Sequence, residues 1–237
     1  MFISKPLLES CLSQIGLALD EETLLRFDRY ARLLTEYNEK VNLTAITDPD
    51  GIVVRHFADS LYLLKELPLS FGMRICDVGT GAGFPGVCLL LASPGISLTL
   101  MDSVNKKLEF LRFLLSDLGL QAEVLHVRAE EAGQDPAYRA SFDVVTARAV
   151  AQLNILSEYC VPLVKTGGRF APLKAPLSEE ERRRGCTAAA NLGAVLRLKQ
   201  FYTQPDGSAR ELLLFEKKSQ PPTKYPRNAA QIAKKPL

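Results

Sequence analysis

One stretch constrains this chain more than any other. A short apolar run, Met73 to Val78, passes directly into Gly79-Thr80-Gly81-Ala82-Gly83-Phe84-Pro85-Gly86. Such a run followed by glycines predicts a buried strand that delivers the chain into a tight loop, with a helix opening beyond it. Glycine lets the backbone turn sharply and approach a ligand without a Cβ clash. In open α/β sheets, ligands bind outside the carboxyl ends of the strands. The chain is therefore expected to build a ligand-binding α/β sheet around this loop.

The rest of the sequence agrees. Alternating segments predict strands at 97–102, 123–127, 142–146 and 169–173, with helices at 85–93, 105–118 and 152–164. Strand alternating with helix implies parallel β-α-β units covered on both faces. The end of the series differs. Segments 194–202 and 211–215 face each other across Pro205-Asp206-Gly207, which predicts an antiparallel hairpin at the sheet edge. Before the sheet, residues 1–70 read as a helical cap. In Asp20–Asn38, Leu24, Phe27, Tyr30, Ala31, Leu34 and Tyr37 recur at helical spacing, with Asp20 as N-cap. Another helix is predicted at about 5–16, and a third from Asp48-Pro49 to just before Pro68. The expected organisation is a cap over 1–70, a core over 71–217 and a proline-punctuated, irregular tail over 218–237.

The register of the glycines points to the ligand. Gly81, Gly83 and Gly86 satisfy the dinucleotide fingerprint G-x-G-x-x-G. No phosphate-binding lysine follows in the Walker A position, so a P-loop is excluded. Read from Asp77, however, the loop is D-x-G-x-G-x-G, and it resembles class I S-adenosylmethionine-dependent methyltransferases. That resemblance, over about residues 70–217, implies a Rossmann-like, mostly parallel seven-stranded sheet. Gly79, Gly81 and Gly83 would cradle the amino-acid end of the cofactor. Asp102 closes the next predicted strand, and an acid there can accept both ribose hydroxyls, as it does for NAD. The plainer reading is an Asp102 that caps the following helix.

Further motifs narrow the resemblance. They are Tyr37-Asn38-Glu39-Lys40-Val41-Asn42-Leu43-Thr44-Ala45-Ile46, Arg55-His56-Phe57-Ala58-Asp59-Ser60-Leu61 and the glycine loop. Met101-Asp102-Ser103, Arg128-Ala129-Glu130, the run from Phe142 through Arg148 to Ala151, and Lys165-Thr166-Gly167-Gly168 follow in order. Together they resemble the RsmG (GidB) family of bacterial 16S ribosomal RNA guanine-N7 methyltransferases. Tyr225-Pro226-Arg227 and Lys234-Lys235-Pro236-Leu237 extend the match, although Ala230 and Ile232 stand where a glycine and a proline are common. The resemblance implies a cofactor site formed by Asp77, Gly79, Gly81, Gly83, Phe84, Asp102, Ala129, Glu130 and Arg148. Arg148 would also position the base, and no general base is expected, because the N7 lone pair of guanine is free. Phosphate contacts are expected from Lys174, Lys217, Lys218, Lys224, Arg227, Lys234 and Lys235. Lys106 and Lys107 read as a solvated helix face, as do Arg182, Arg183 and Arg184. His56 reads as one half of a local polar pair with Asp59, one turn away.

Charge and composition set outer limits. Residues 1–70 carry seven basic and eleven acidic side chains, whereas residues 217–237 carry six basic and no acidic ones. A basic tail on a nearly neutral body is a handle for a polyanion, although charge alone favours a plain solvated tail. The partner that the resemblance implies is 16S ribosomal RNA or the small ribosomal subunit. No apolar run approaches the length of a membrane span, and the opening MFISKPLLESCLSQIG lacks the features of a secretory signal. Five scattered cysteines without C-x-x-C, and two histidines, argue against a metal site and fit a reducing cytoplasm. Two competing readings follow from the same residues. One is an NAD-dependent oxidoreductase, for which only His56 and His126 are available as histidine proton donors. The other is a non-catalytic RNA-binding ribosome-assembly factor.

Overall fold

A computed structural model describes residues 1–237. Before the sheet come α1 (Lys5–Ser13), α2 (Glu21–Asn38) and a helical run made of α3 (Pro49–Gly51), a π-helical stretch (Ile52–Ala58), α4 (Asp59–Leu61) and α5 (Leu63–Glu66). Asp20 caps α2 by accepting from the Thr23 N–H at 2.8 Å. Seven strands follow: β1 (Arg74–Val78), β2 (Ser97–Asp102), β3 (Glu123–His126), β4 (Phe142–Arg148), β5 (Val164–Lys174), β6 (Ala194–Thr203) and β7 (Ala209–Lys217). They form one sheet in the order β3-β2-β1-β4-β5-β7-β6. Strands β1 to β5 are parallel, and β7 runs antiparallel to both β5 and β6. The expected edge hairpin is therefore present, with its second strand inserted beside β5. The connecting helices are α6 (Gly86–Ala92), α7 (Asn105–Asp117), α8 (Ala129–Ala132), α9 (Leu153–Cys160) and α10 (Glu179–Asn191), and α11 (Ala229–Lys234) lies in the tail. No helix is long and apolar enough to cross a membrane.

Central strands are buried on both faces, as their apolar runs require. One core joins Phe27, Tyr30, Leu34 and Phe57 of the N-terminal helices to Leu89, Leu100 and Leu111 of the sheet and its helices. Residues 1–70 thus share the core of one sheet face. Phe142, Leu153, Leu156, Phe170 and Phe215 pack the other core.

Two regions differ from the sequence reading. The third N-terminal helix is not α-helical throughout but widens into a π stretch over Ile52–Ala58. Nη1 of Arg148 donates to the Arg55 carbonyl within this stretch at 3.1 Å. The tail is not irregular. Asn228 caps α11 by accepting from the Gln231 N–H, and Ile232 is fully buried. The Arg139 guanidinium donates to the Tyr225 carbonyl, Gln134 to that of Pro226, and Asn154 to that of Leu237. Four prolines hid a segment that docks through its backbone carbonyls, the pairing of Arg227 with Glu158 and the buried Ile232.

Candidate active site

The glycine loop leaves β1 at the carboxyl edge of the sheet, where Gly79, Gly81 and Gly83 adopt φ of +68°, +59° and +103°. L-residues rarely hold such angles. A Cβ on Gly79 would lie 2.5 Å from Cγ2 of Val150, and one on Gly83 2.7 Å from the Tyr30 hydroxyl, whereas one on Gly81 would meet only the Gly79 carbonyl oxygen at 3.9 Å. Gly81 therefore faces open space. Asp77 braces the loop from beneath, its Oδ2 accepting from the Thr80 hydroxyl at 2.7 Å and the Gly86 N–H at 2.9 Å. Its Oδ1 is buried without a partner, and burial pushes its pKa up to about 7. Asp102 holds the loop from the side. Its Oδ2 accepts from the Gly81 N–H and its Oδ1 from the Val104 N–H, both at 2.9 Å. Asp102 is thus a clasp between β2 and the glycine loop, and Val104 rather than Asp102 stands at the N-cap of α7.

Two hollows meet at this loop. A small one, about 130 Å³, is lined by Gly79, Asp102, Ala129, Glu130, Val150 and Tyr159, among others. A cleft of about 620 Å³ opens on the other side, and Gly79 lines both. Five basic side chains line the cleft, Arg55, Lys107, Arg148, Lys174 and Arg210, against the acidic Asp59 and Glu181.

Arg148, the last residue of β4, is the centre of the cleft's polar network. Its Nη1 donates to Asp59 Oδ2 at 2.8 Å, and its guanidinium sits 5.0 Å from the Phe84 ring centroid. Asp59 is buried. Its Oδ1 also accepts from the Tyr202 hydroxyl at 2.9 Å and Gln204 Nε2 at 2.7 Å, and Arg210 Nε lies 3.3 Å away. His56 stacks on Phe84 with ring centroids 4.4 Å apart, and Tyr30 stacks on Phe84 at 5.2 Å. His56 and Asp59 do not bond each other directly: the imidazole turns to Arg148 and to Thr44, whose Oγ1 lies 2.8 Å from His56 Nε2. Burial, and secondarily the Arg148 charge, pushes the His56 pKa down to about 3. Asn38 fixes the loop bearing Thr44, its Oδ1 accepting from the Leu43 and Thr44 N–H groups and its Nδ2 donating to the Thr44 carbonyl.

Against this geometry the comparisons are specific. Residues 23–208 match the family model GidB, rRNA small subunit methyltransferase G. The chain belongs to this family. Relatives named ribosomal RNA small subunit methyltransferase G include one from Exiguobacterium sibiricum, 43% identical over 230 residues, which are 96% of this chain and 97% of the relative. Another, from Lactococcus lactis subsp. lactis, is 42% identical over 234 residues, covering 96% and 97%. Among solved structures, TrmN from Thermus thermophilus aligns with a TM-score of 0.53 and 21% identity, over 70% of this chain and 53% of that one. A SAM-dependent O-methyltransferase from Thermotoga maritima aligns with a TM-score of 0.54 and 15% identity, over 80% and 73%. The sheet is that of the class I methyltransferases. Neither the oxidoreductase nor the assembly-factor reading is favoured by these relatives.

Within the GidB-family fold, Asp77, Gly79, Gly81, Gly83, Asp102, Ala129 and Glu130 come together around the loop and the small hollow. Phe84 is 5% exposed and is chiefly the middle ring of a stack. Among the basic residues expected to meet phosphate, two are committed elsewhere. Lys217 is 1% exposed, and its Nζ donates to the carbonyls of Val164 at 2.5 Å and Pro162 at 3.4 Å. Arg227 is bidentate to the fully buried Glu158, at 2.8 and 2.6 Å. Both are structural, fixed by groups that the sequence does not pair with them, and burial pushes the Lys217 pKa down to about 7. Lys218 pairs with Glu216, Lys224 lies over the Tyr225 ring, and Lys234 and Lys235 are exposed. Lys174 lines the cleft while donating to the Ala151 carbonyl at 2.8 Å. Lys107, read as a solvated helix face, lines the cleft too, and so does Arg210, which no motif singled out. Arg182 is not free on its helix but pairs with the buried Glu211 at 2.8 Å.

Proposed function

We propose that this chain transfers a methyl group from S-adenosylmethionine to N7 of a guanine in 16S ribosomal RNA, acting on the small ribosomal subunit in the cytoplasm. The observation that carries this reading is the junction at Gly79, where the small acid-lined hollow and the basic cleft meet. An elongated nucleoside cofactor fits across it. Asp102 holds the loop with one lone pair on each oxygen, and the remaining lone pairs are free to accept ribose hydroxyls. Ala129 and Glu130 address the adenine edge, and the open side of Gly81 admits the amino-acid end. When bound, S-adenosylmethionine supplies a methyl on a sulfonium whose departure leaves a neutral thioether, so no general acid is needed.

The chain's own task is alignment and exclusion of water. N7 carries a free in-plane lone pair, so no base is required, consistent with a His56 held neutral. Arg148 keeps Nε–H and one Nη2–H without a protein acceptor, and these position the base at the carboxyl end of β4. Lys107, Lys174 and Arg210 lead the RNA strand into the cleft, with Lys218, Lys224, Lys234 and Lys235 as outlying phosphate contacts. Guanine N7 faces the deep, narrow groove of A-form RNA, so the target is an unpaired or extruded nucleotide.

The test is incubation with labelled S-adenosylmethionine and small subunits from a strain lacking the gene, followed by N7-specific strand cleavage. A single labelled guanine in 16S RNA is the expected result. Cofactor binding without any incorporation into subunits or free 16S RNA would overturn the substrate. Absence of cofactor binding would overturn the reading itself.

A further inference from the structure

Thr44 occupies an unusual position in the hydrogen-bond network of the cleft. Its Oγ1 accepts from the Ile46 N–H at 3.0 Å and lies 2.8 Å from His56 Nε2. The direction of the second bond follows from the other side of the ring. Nη2 of Arg148 is 3.1 Å from His56 Nδ1, and a guanidinium has only donors, so Nδ1 must accept. A neutral imidazole then carries its proton on Nε2 and donates it to Thr44 Oγ1. Both lone pairs of the Thr44 hydroxyl are thereby filled, and its one proton has no protein acceptor. A hydroxyl is ordinarily ambiguous, able to donate or accept. Here Arg148 and His56 have made it a donor only, on a residue that lines the same cleft as Gly79, Thr80 and Gly81.

This chemistry selects among purines. On the edge that carries N7, guanine presents a second acceptor, O6, whereas adenine presents an N6 amino donor. A donor-only hydroxyl matches the first and opposes the second. We infer that Thr44, set as a one-way donor by the chain Arg148–His56–Thr44, reads guanine O6 and selects guanine over adenine for methylation at the neighbouring N7. The inference rests on the methyl-transfer reading above and goes beyond it by assigning base selection to a named hydroxyl. Arg148 and His56 are positioning residues in this respect, acting through Thr44.

The test compares small subunits reconstituted on 16S RNA carrying either guanine or 2-aminopurine at the methylated position. 2-Aminopurine keeps N7 and lacks O6. Wild-type protein should methylate the 2-aminopurine subunits with kcat/KM lower by about tenfold or more, the order expected for one lost hydrogen bond that leaves a donor unpaired. Thr44→Val should show a similar loss on guanine subunits and little further loss on 2-aminopurine ones, and Thr44→Ser should recover most of it. A purely structural role for Thr44 predicts the opposite pattern: Thr44→Val would depress both substrates by the same factor. That equality, or a wild-type enzyme indifferent to 2-aminopurine, overturns the inference while leaving the enzyme's activity established. If the valine variant fails to fold, Thr44→Ala, which also lacks the hydroxyl, carries the same two-substrate comparison. A wild-type enzyme that methylates neither substrate removes the underlying reading and this inference with it.

Discussion

Nη2 of Arg148 lies 3.1 Å from Nδ1 of His56, and this one contact decides the charge and tautomer of the only histidine in the cleft. A donor-only guanidinium cannot face a protonated nitrogen, so the ring is neutral with its proton on Nε2. Burial and the adjacent cation hold its pKa down at about 3. His56 therefore stays uncharged across the range in which a free histidine titrates. The expected outcome is a pH profile of kcat/KM, measured on small subunits, with no step from His56 between pH 5 and 8. His56→Gln should lower the rate without changing the shape of that profile. A step near pH 6.5 in the wild type that disappears in the glutamine variant would show a titrating histidine.

The glycines of the loop separate binding from folding. At Gly81 an added Cβ meets nothing closer than 3.9 Å, although φ is +59°. Gly81→Ala is expected to cost only about 1–2 kcal/mol of stability, the strain of a left-handed L-residue, while obstructing the face the cofactor would approach. At Gly83 the added Cβ would lie 2.7 Å from both the Tyr30 hydroxyl and Val87 Cγ2. Gly83→Ala is expected to cost more, about 2–4 kcal/mol, because overpacking is added to the backbone strain. Calorimetric titration with S-adenosylmethionine and urea unfolding of both variants check the contrast. Equal stability losses would mean that the loop relaxes.

The sheet and the loop were legible in the sequence because their signals are local. Apolar runs, glycine spacing and the position of Asp102 all lie within a few residues of the features they specify. What escaped notice depends on partners far apart in the chain. Nothing near Lys217 announces the carbonyls of Pro162 and Val164, and nothing near Arg227 announces Glu158, 69 residues away. Arg210 and Lys107 enter the cleft only because β7 inserts beside β5 and the start of α7 faces the glycine loop. His56 and Asp59 do lie one helical turn apart, which made a direct pair the simple expectation. A π-helical stretch and a cation from β4 redirected both.

Asp77 gives the native state a definite pH dependence. Its Oδ1 is buried without a partner, and burial raises its pKa to about 7 from an ordinary value of 3.8. The folded state thus holds a proton that the unfolded chain releases near pH 4. For a group whose folded pKa is raised, its contribution to stability is complete below the unfolded pKa and is lost as pH rises through the folded one. Between about pH 4 and 7, Asp77 therefore makes stability fall as pH rises. Asp77→Asn should remove that component, so the difference in urea midpoint between wild type and variant changes across this window and levels off above it. A constant difference from pH 4 to 8 would show that Asp77 is ionised throughout in the folded protein.

Arg227 and Glu158 tie the basic tail to the second core. Glu158 is fully buried, and its carboxylate accepts the Arg227 backbone N–H at 2.9 Å as well as two guanidinium donors. Removing one partner of such a pair strands the other charge away from water, which typically costs about 3–5 kcal/mol. Arg227→Ala should therefore destabilise the protein by an amount of that order. The paired change Glu158→Leu with Arg227→Met should cost less than the single one, since no unpaired charge is left behind. If Arg227 instead served mainly to bind RNA, Arg227→Ala would leave urea unfolding unchanged and reduce the salt slope of RNA binding by about one unit. Measuring both quantities on the same variant distinguishes an anchor from a phosphate contact. The exposed Lys234 and Lys235 should show the converse behaviour, with a reduced salt slope and unchanged unfolding.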